Sequence, residues 1–346
     1  MQSPFALYRL PHADHYVRVE GSTQEYYAMS QLNGVAGFVM APFQTKQRQP
    51  VVLIQPDRVD TMALPAESEV PGMTGLKEAD GPSLSYTIDF ANFHAQLQCG
   101  TFQKIVLARC VEEKLPSAVD PSALFFRACS LYPRLFIALV YTPQSGMWLT
   151  ATPEILLEGQ EDQWRTIALA GTMRLSDDRL DSEGETQTWD TKNIAEQRIV
   201  STYIAECLEQ FTRDFKEEGP RTVRAANLVH LRSDFTFTLP DHDHLGDLIG
   251  RLHPTPAVCG LPKRDTFEFI VHNEHTPRRY YSGFMGPLQM SGTHLYVSLR
   301  CMNIDGERCH LFAGGGLLRD SVMEQEWQET EAKLETMRRC IATSRT

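Results

Sequence analysis

"FQKIVLARC", residues 102–110, decides the fold class, because a buried-strand pattern here follows directly on a helix-like segment that ends at Gly100. A chain that passes from helix to strand across one glycine is neither all-α nor all-β. Two residues sit awkwardly in the run. Lys104 and Arg109 are cations in a stretch that a core would bury, and lysine is seldom buried without a partner.

Outward from this stretch, strand-like runs recur as LFIALVYT (135–142), GMWLTAT (146–152), EILLEG (154–159), RTIALAG (165–171) and LVHLRSDFTFTL (228–239). A hairpin-like pair, YYSGFMGPLQM (280–290) and THLYVSLRCMNID (293–305), precedes HLFAGGGLL (310–318). Helical periodicity marks 190–212 and about 322–341, with a shorter helix after the DHDH loop at 241–244. Residues 215–225 are charged and expected to be exposed. The first 85 residues carry two strand-like runs, GVAGFVMAPF and PVVLIQP, among Pro and Gly. With no internal repeat and no low-complexity linker, a single α+β domain with largely antiparallel sheet is expected.

Composition narrows the partners. A 346-residue chain with 42% hydrophobic and 22% charged residues is an ordinary globular protein. A formal net charge of −11 argues against nucleic acid, so an anionic substrate has to be held by a few local cations. Eight cysteines without a CxxC pair, several in apolar runs, read as reduced core thiols. The start lacks a basic n-region and apolar h-region, and no run reaches the roughly 18 apolar residues of a membrane span. A cytoplasmic protein is expected.

Charge beside apolar stripes points to chemistry. On the 190–212 helix, Val200, Ile204, Cys207, Leu208 and Phe211 form a stripe that Glu196 continues one turn back. On the last helix, Ser321 and Glu324 have capping-box spacing, and Met323, Trp327, Thr330, Leu334, Met337 and Ile341 form the stripe. Glu326, Glu329 and Lys333 line its edge; alone, Glu329 and Lys333 would read as an i,i+4 surface pair. Carboxylates from two helices suit Mg²⁺, which takes one or two of them and keeps sites for water and substrate. Asp241, His242, Asp243 and His244 resemble a metal set in composition, but nothing fixes their spacing, and a solvated loop is expected. LAGT (169–172) and AGGGLL (313–318) let backbone N–H groups approach an anion, and Arg300 can pair with a carboxylate.

Taken in order, these pieces resemble the chorismate-utilising enzymes: isochorismate synthase, salicylate synthase, and the large subunits of anthranilate and aminodeoxychorismate synthases. The matching stretches are QKIVLAR, TPEILLE, LAGTMR, KNIAEQRIV, VHL, LHPTPAVCGLPK, PRRYYSG, SLRCMNI, FAGGGLL and EQEWQETEAKL, collinear over residues 86–341. The resemblance implies one chorismate-binding domain over 1–346, with a divergent N-terminal part at 1–85. It further implies four layers, two central sheets flanked by helices, and a Mg²⁺-dependent cleft.

By the same resemblance, Glu196, Glu326 and Glu329 are metal ligands. Lys104 stands where water-adding members carry a lysine base and ammonia-adding members a glutamine, which favours isochorismate formation over amination and expects no glutaminase partner. A lysine base must be neutral, a state that burial and neighbouring cations favour. Glu154 matches the general acid at the C4 hydroxyl, with a raised pKa, and His230 lies near that leaving group. Gly171 and Thr172 with Mg²⁺ hold the ring carboxylate, near Lys333; Tyr281, Arg300, Gly314 and Gly316 hold the enolpyruvyl carboxylate. Asn193 and Gln197 depart from the pattern, where an acid and a histidine are usual. The product expected is isochorismate, for menaquinone or a catechol siderophore, from a monomer; salicylate synthase is the alternative.

Overall fold

The computed structural model describes residues 3–65, 81–114, 120–174, 188–225, 228–239 and 243–341. The first half runs β1 (Phe5–Arg9), β2 (His15–Tyr26), a 3-10 turn (Met29–Leu32), β3 (Gly37–Ala41), β4 (Val51–Ala63), α1 (Leu84–Gln98), β5 (Lys104–Lys114) and α2 (Pro121–Leu131). Next come β6 (Phe136–Thr142), β7 (Gly146–Thr152), β8 (Ile155–Gln160), β9 (Gln163–Arg174), α3 (Thr191–Leu208), β10 (Phe215–Ala225), β11 (Leu228–Thr238) and α4 (Leu245–Leu252). The chain closes with β12 (Gly260–Leu261), α5 (Lys263–Asn273), β13 (Phe284–Leu288), β14 (Thr293–Val297), β15 (Cys301–Asp305), β16 (Arg308–Leu317) and α6 (Met323–Ile341).

Local chemistry sets the helix ends around β5. Ser83 accepts the Tyr86 N–H at 3.3 Å to start α1, and left-handed Gly100 (φ 75°) ends it. Asp190 opens α3 by accepting the Asn193 N–H at 2.7 Å. The capping box expected at Ser321 does not form. Its hydroxyl oxygen instead accepts the Leu318 N–H at 3.0 Å, closing the turn after β16, and α6 begins at Met323.

The strands join in one antiparallel order, β10-β11-β9-β8-β14-β13-β3-β4-β2-β1-β6-β7-β15-β16-β5-β12. The ladder runs through without a break because β2 and β4 pair along their whole length, across a register shift between Glu20 and Gly21. There a Cβ on Gly21 would stand 1.8 Å from the Gln55 carbonyl oxygen, so only glycine allows the crossing. The N-terminal region, the least legible in sequence, thus supplies the middle of the sheet. Residues 215–225, read as an exposed charged stretch, form the edge strand β10, charged and exposed through most of its length.

Side chains from both ends of this ladder share a core cluster that includes Tyr8, Phe38, Phe136, Trp148, Met285 and Tyr296. Phe136 and Tyr296 stack with ring centroids 4.3 Å apart. On one flank α3 and α4 bury Val200, Ile204, Leu248 and Ile249. Elsewhere α2 and α6 bury Leu124, Phe125, Leu334 and Met337, while α1 and α5 bury Phe93 and Ile270. The result is a single α+β domain with a large antiparallel sheet and six helices among the described residues. All eight cysteines are free and six of them are buried. No described helix is long and apolar enough to cross a membrane.

Candidate active site

Successive residues of a strand point to opposite faces, so Lys104 and Arg109 of β5 leave it on different sides. Arg109 turns to α6: its Nε donates to Thr330 Oγ1 at 2.6 Å, it pairs with Glu331, and its guanidinium lies 3.6 Å from the centre of the Trp327 ring. Lys104, fully buried, turns to α3, where its Nζ stands 2.8 Å from Glu196 Oε1. The charged neighbour in reach of the amine is therefore the Glu196 carboxylate. No hydrogen bond of good geometry forms at Nζ.

Beside this pair opens a cleft of ≈ 620 Å³, counted out to its mouth. Ten of the thirteen residues singled out in sequence line it: Glu154, Gly171, Thr172, Glu196, His230, Tyr281, Arg300, Gly314, Gly316 and Lys333. Lys104 lies behind Glu196 and Gly316. A Cβ on Gly316 would meet Glu196 Oε1 at 2.2 Å and Lys104 Cε at 2.8 Å, and one on Gly314 would meet the Tyr281 hydroxyl at 2.7 Å. The glycines of AGGGLL are thus the space in which the lysine, glutamate and tyrosine meet.

Glu154 sits between β7 and β8, only 3% exposed, with Thr255 Oγ1 at 3.4 Å. Burial pushes its carboxyl up to about 7, against the opposing pull of Lys104. Thr255 comes from the LHPTPAVCGLPK loop, whose Ala257 and Val258 also line the cleft.

LAGT is not the end of a strand but a bulge within β9, where the register with β11 shifts between Val229 and Leu231. Left-handed Gly171 (φ 68°) turns its carbonyl to His230, whose Nδ1 donates to it at 2.9 Å. The other ring nitrogen, Nε2, then accepts from Arg300 Nη2 at 2.5 Å, which fixes a neutral tautomer. Burial, then Arg300, holds His230 well below its ordinary pKa. Arg300 also donates to the Ala225 carbonyl at 2.8 Å, and burial lowers it to about 10. Its left-handed backbone (φ 45°) breaks THLYVSLRCMNID into β14 and β15. Read as one strand, that stretch is two, because the guanidinium has to turn into the cleft.

The departures from the family pattern have structural partners. Asn193 Oδ1 accepts the Thr172 N–H at 3.1 Å, and Gln197 Nε2 donates to the Ala168 carbonyl at 3.1 Å. Both therefore pin β9 to α3. Asp241 and His242 fall outside the described residues; Asp243 and His244 are exposed.

Glu326 and Glu329 do not line the cleft but approach Gly315 from α6: a Cβ there would stand 3.3 Å from Glu326 Oε2 and 4.0 Å from Glu329 Oε1. Lys333 pairs with Glu329 at 2.7 Å and donates to the Gly314 carbonyl at 2.9 Å, so this pair belongs to the site, not to the open surface. Lys192, one turn before Glu196, pairs with Glu326. Sequence reading missed Lys192, although its i,i+4 spacing from Glu196 was a signal. Among the described residues no three His, Cys, Asp or Glu side chains form a ready cage for a metal. In kind, however, the donors fit a hard divalent cation: carboxylates from two helices, with Glu326 Oε2 buried and unpartnered.

Sheet, cleft and residue types define a class, and comparison with known proteins agrees. The model of the chorismate binding enzyme family matches residues 61–342, and the chain belongs to that family. Isochorismate synthase MenF of Escherichia coli K12 is 31% identical over 241 residues, covering 69% of this chain and 56% of the relative. Isochorismate synthase EntC of the same organism is 29% identical over 238 residues, covering 68% and 61%. The matches thus span less than two thirds of these relatives' length. The solved structure of the menaquinone-specific isochorismate synthase MenF from Escherichia coli has the same fold, with a TM-score of 0.82 at 24% identity, covering 98% of this chain and 88% of that one.

Proposed function

We propose that this protein is an isochorismate synthase, a Mg²⁺-dependent enzyme that adds water at C2 of chorismate as the C4 hydroxyl leaves. The observation that carries the reading is one cleft in which Glu154, with a carboxyl held to about 7 by burial, faces the region of the Lys104–Glu196 pair. A carboxyl that keeps its proton near neutrality can give it to a leaving hydroxyl. Lys104 is the base that takes a proton from the incoming water. Where relatives that add ammonia carry glutamine, this chain has lysine, which favours water as nucleophile and a protein working without a glutaminase partner.

Arg300 and Tyr281, with the backbone of Gly314 and Gly316, bind the enolpyruvyl carboxylate; Gly171, Thr172 and Lys333 bind the ring carboxylate. His230 orients Arg300: both its nitrogens are engaged, by Gly171 and by the guanidinium, so it has no proton to offer the leaving group. Glu196, Glu326 and Glu329 are the residues that would hold Mg²⁺, whose charge would steady the ring carboxylate. The reading takes residues 1–346 as one cytoplasmic, monomeric chorismate-binding unit. It is arranged as four layers, a view supported by the cluster that the two ends of the sheet share between flanking helices. Its product would feed menaquinone or catechol siderophore synthesis.

Purified protein incubated with chorismate and Mg²⁺ should release isochorismate, followed by chromatography. Pyruvate with stoichiometric salicylate would show a salicylate synthase instead; ammonia-dependent anthranilate or aminodeoxychorismate would show an aminating component.

A further inference from the structure

Three lysines meet the three glutamates of the candidate metal site, and they are not held alike. Lys104 is fully buried on β5 against Glu196. Lys333 is tied twice, to Glu329 and to the Gly314 carbonyl. Lys192 has Glu326 as its one hydrogen-bond partner among the described residues, and its side chain is 28% exposed. It stands in the first turn of α3, where the helix dipole disfavours a cation, so the carboxylates alone hold it there.

Glu326 shows what this ammonium leaves undone. The residue is 1% exposed, and its Oε2 has no hydrogen-bond partner among the described residues. Glu196 stands one turn along α3 from Lys192, and Glu329 lies three residues along α6 from Glu326. One tethered charge therefore sits among three carboxylates and satisfies one oxygen of a group that could satisfy a divalent ion.

We propose that Lys192 is a built-in competitor for the metal: its ammonium occupies the Glu326 side of the site, and a divalent cation enters by exchange, as the lysine swings into solvent. The inference rests on the proposed metal site and deepens it, by naming the residue that sets metal affinity. Lys104 and Lys333 do not play this part: the first is fully buried on β5 against Glu196, and the second also donates to the Gly314 carbonyl of β16.

Replacing the ammonium with an isosteric apolar chain separates this role from simple scaffolding. In Lys192→Met, substrate-free protein titrated calorimetrically with Mg²⁺ should bind about 10-fold more tightly than wild type. The metal-free variant should melt at a lower temperature, because Glu326 loses its one counter-charge, and Mg²⁺ should raise its Tm by more than it raises that of wild type. Lys192→Arg, which keeps a charge and grips carboxylates with two donors, should bind Mg²⁺ no more tightly than wild type. Equal or weaker Mg²⁺ binding by a cooperatively melting Lys192→Met would overturn the proposal. Mg²⁺ exchange behaving as described in a protein that makes no isochorismate would uphold the competitor and sink the proposed function instead.

Discussion

The two faces of β5 bury one cation each and use it differently. On the α6 face, Arg109 has its Nε and Nη2 committed, to Thr330 and Glu331, and its flat surface stacked on Trp327. On the α3 face, Lys104 has one carboxylate within reach and no hydrogen bond of good geometry, beside glycines that leave space instead of side chains. Buried charge tied to fixed partners is structure; buried charge with donors unspent next to an open cleft is a candidate for chemistry.

That contrast breaks most visibly in turnover. Lys104→Ala should lower isochorismate formation by about 10³-fold, the scale of a lost general base, while the far-UV spectrum stays unchanged. Turnover within a few-fold of wild type would remove Lys104 from the chemistry. Arg109→Ala should do the reverse. It uncovers Trp327 and leaves Glu331 with Arg338 as its remaining partner, so urea unfolding should show a loss of about 2 kcal/mol with activity per folded molecule nearly retained. A drop in turnover without a drop in stability would erase the distinction between the faces.

The smallest effect, and the sharpest test of Glu154, lies in pH. Its folded pKa of about 7 stands above the ordinary value of 4.5, so the folded protein keeps this proton longer than the unfolded chain does. The stability this group contributes is full below about pH 4.5 and is lost as pH rises through about 7. Glu154→Gln, which cannot ionise, should therefore gain stability over wild type at pH 8 and little or none at pH 5, read from urea midpoints. The same shift at both pH values would mean that the carboxyl is ionised throughout.

Legibility followed range. α1, α3 and α6 were readable because their stripes are local, and the carboxylate Glu196 was flagged by the same periodicity. The site glycines and Arg300 were flagged by residue type alone. What stayed hidden was non-local: the bulge at Gly171, the break at Arg300, and the Lys192–Glu326 pair, whose members stand 134 residues apart in sequence. The N-terminal strands were the least legible because their partners are distant segments, as where β3 pairs with β13 and β1 with β6.

By itself the sequence determined which residues alternate, which faces are apolar, and which chemical groups are available, since those depend on periods of two and 3.6 residues. Only the tertiary structure decided which lysine meets which glutamate, which nitrogen of His230 carries its proton, and that one continuous ladder runs through the N-terminal strands. Ion pairs and tautomers depend on distances of a few ångströms between segments far apart in the chain, and packing alone sets those distances.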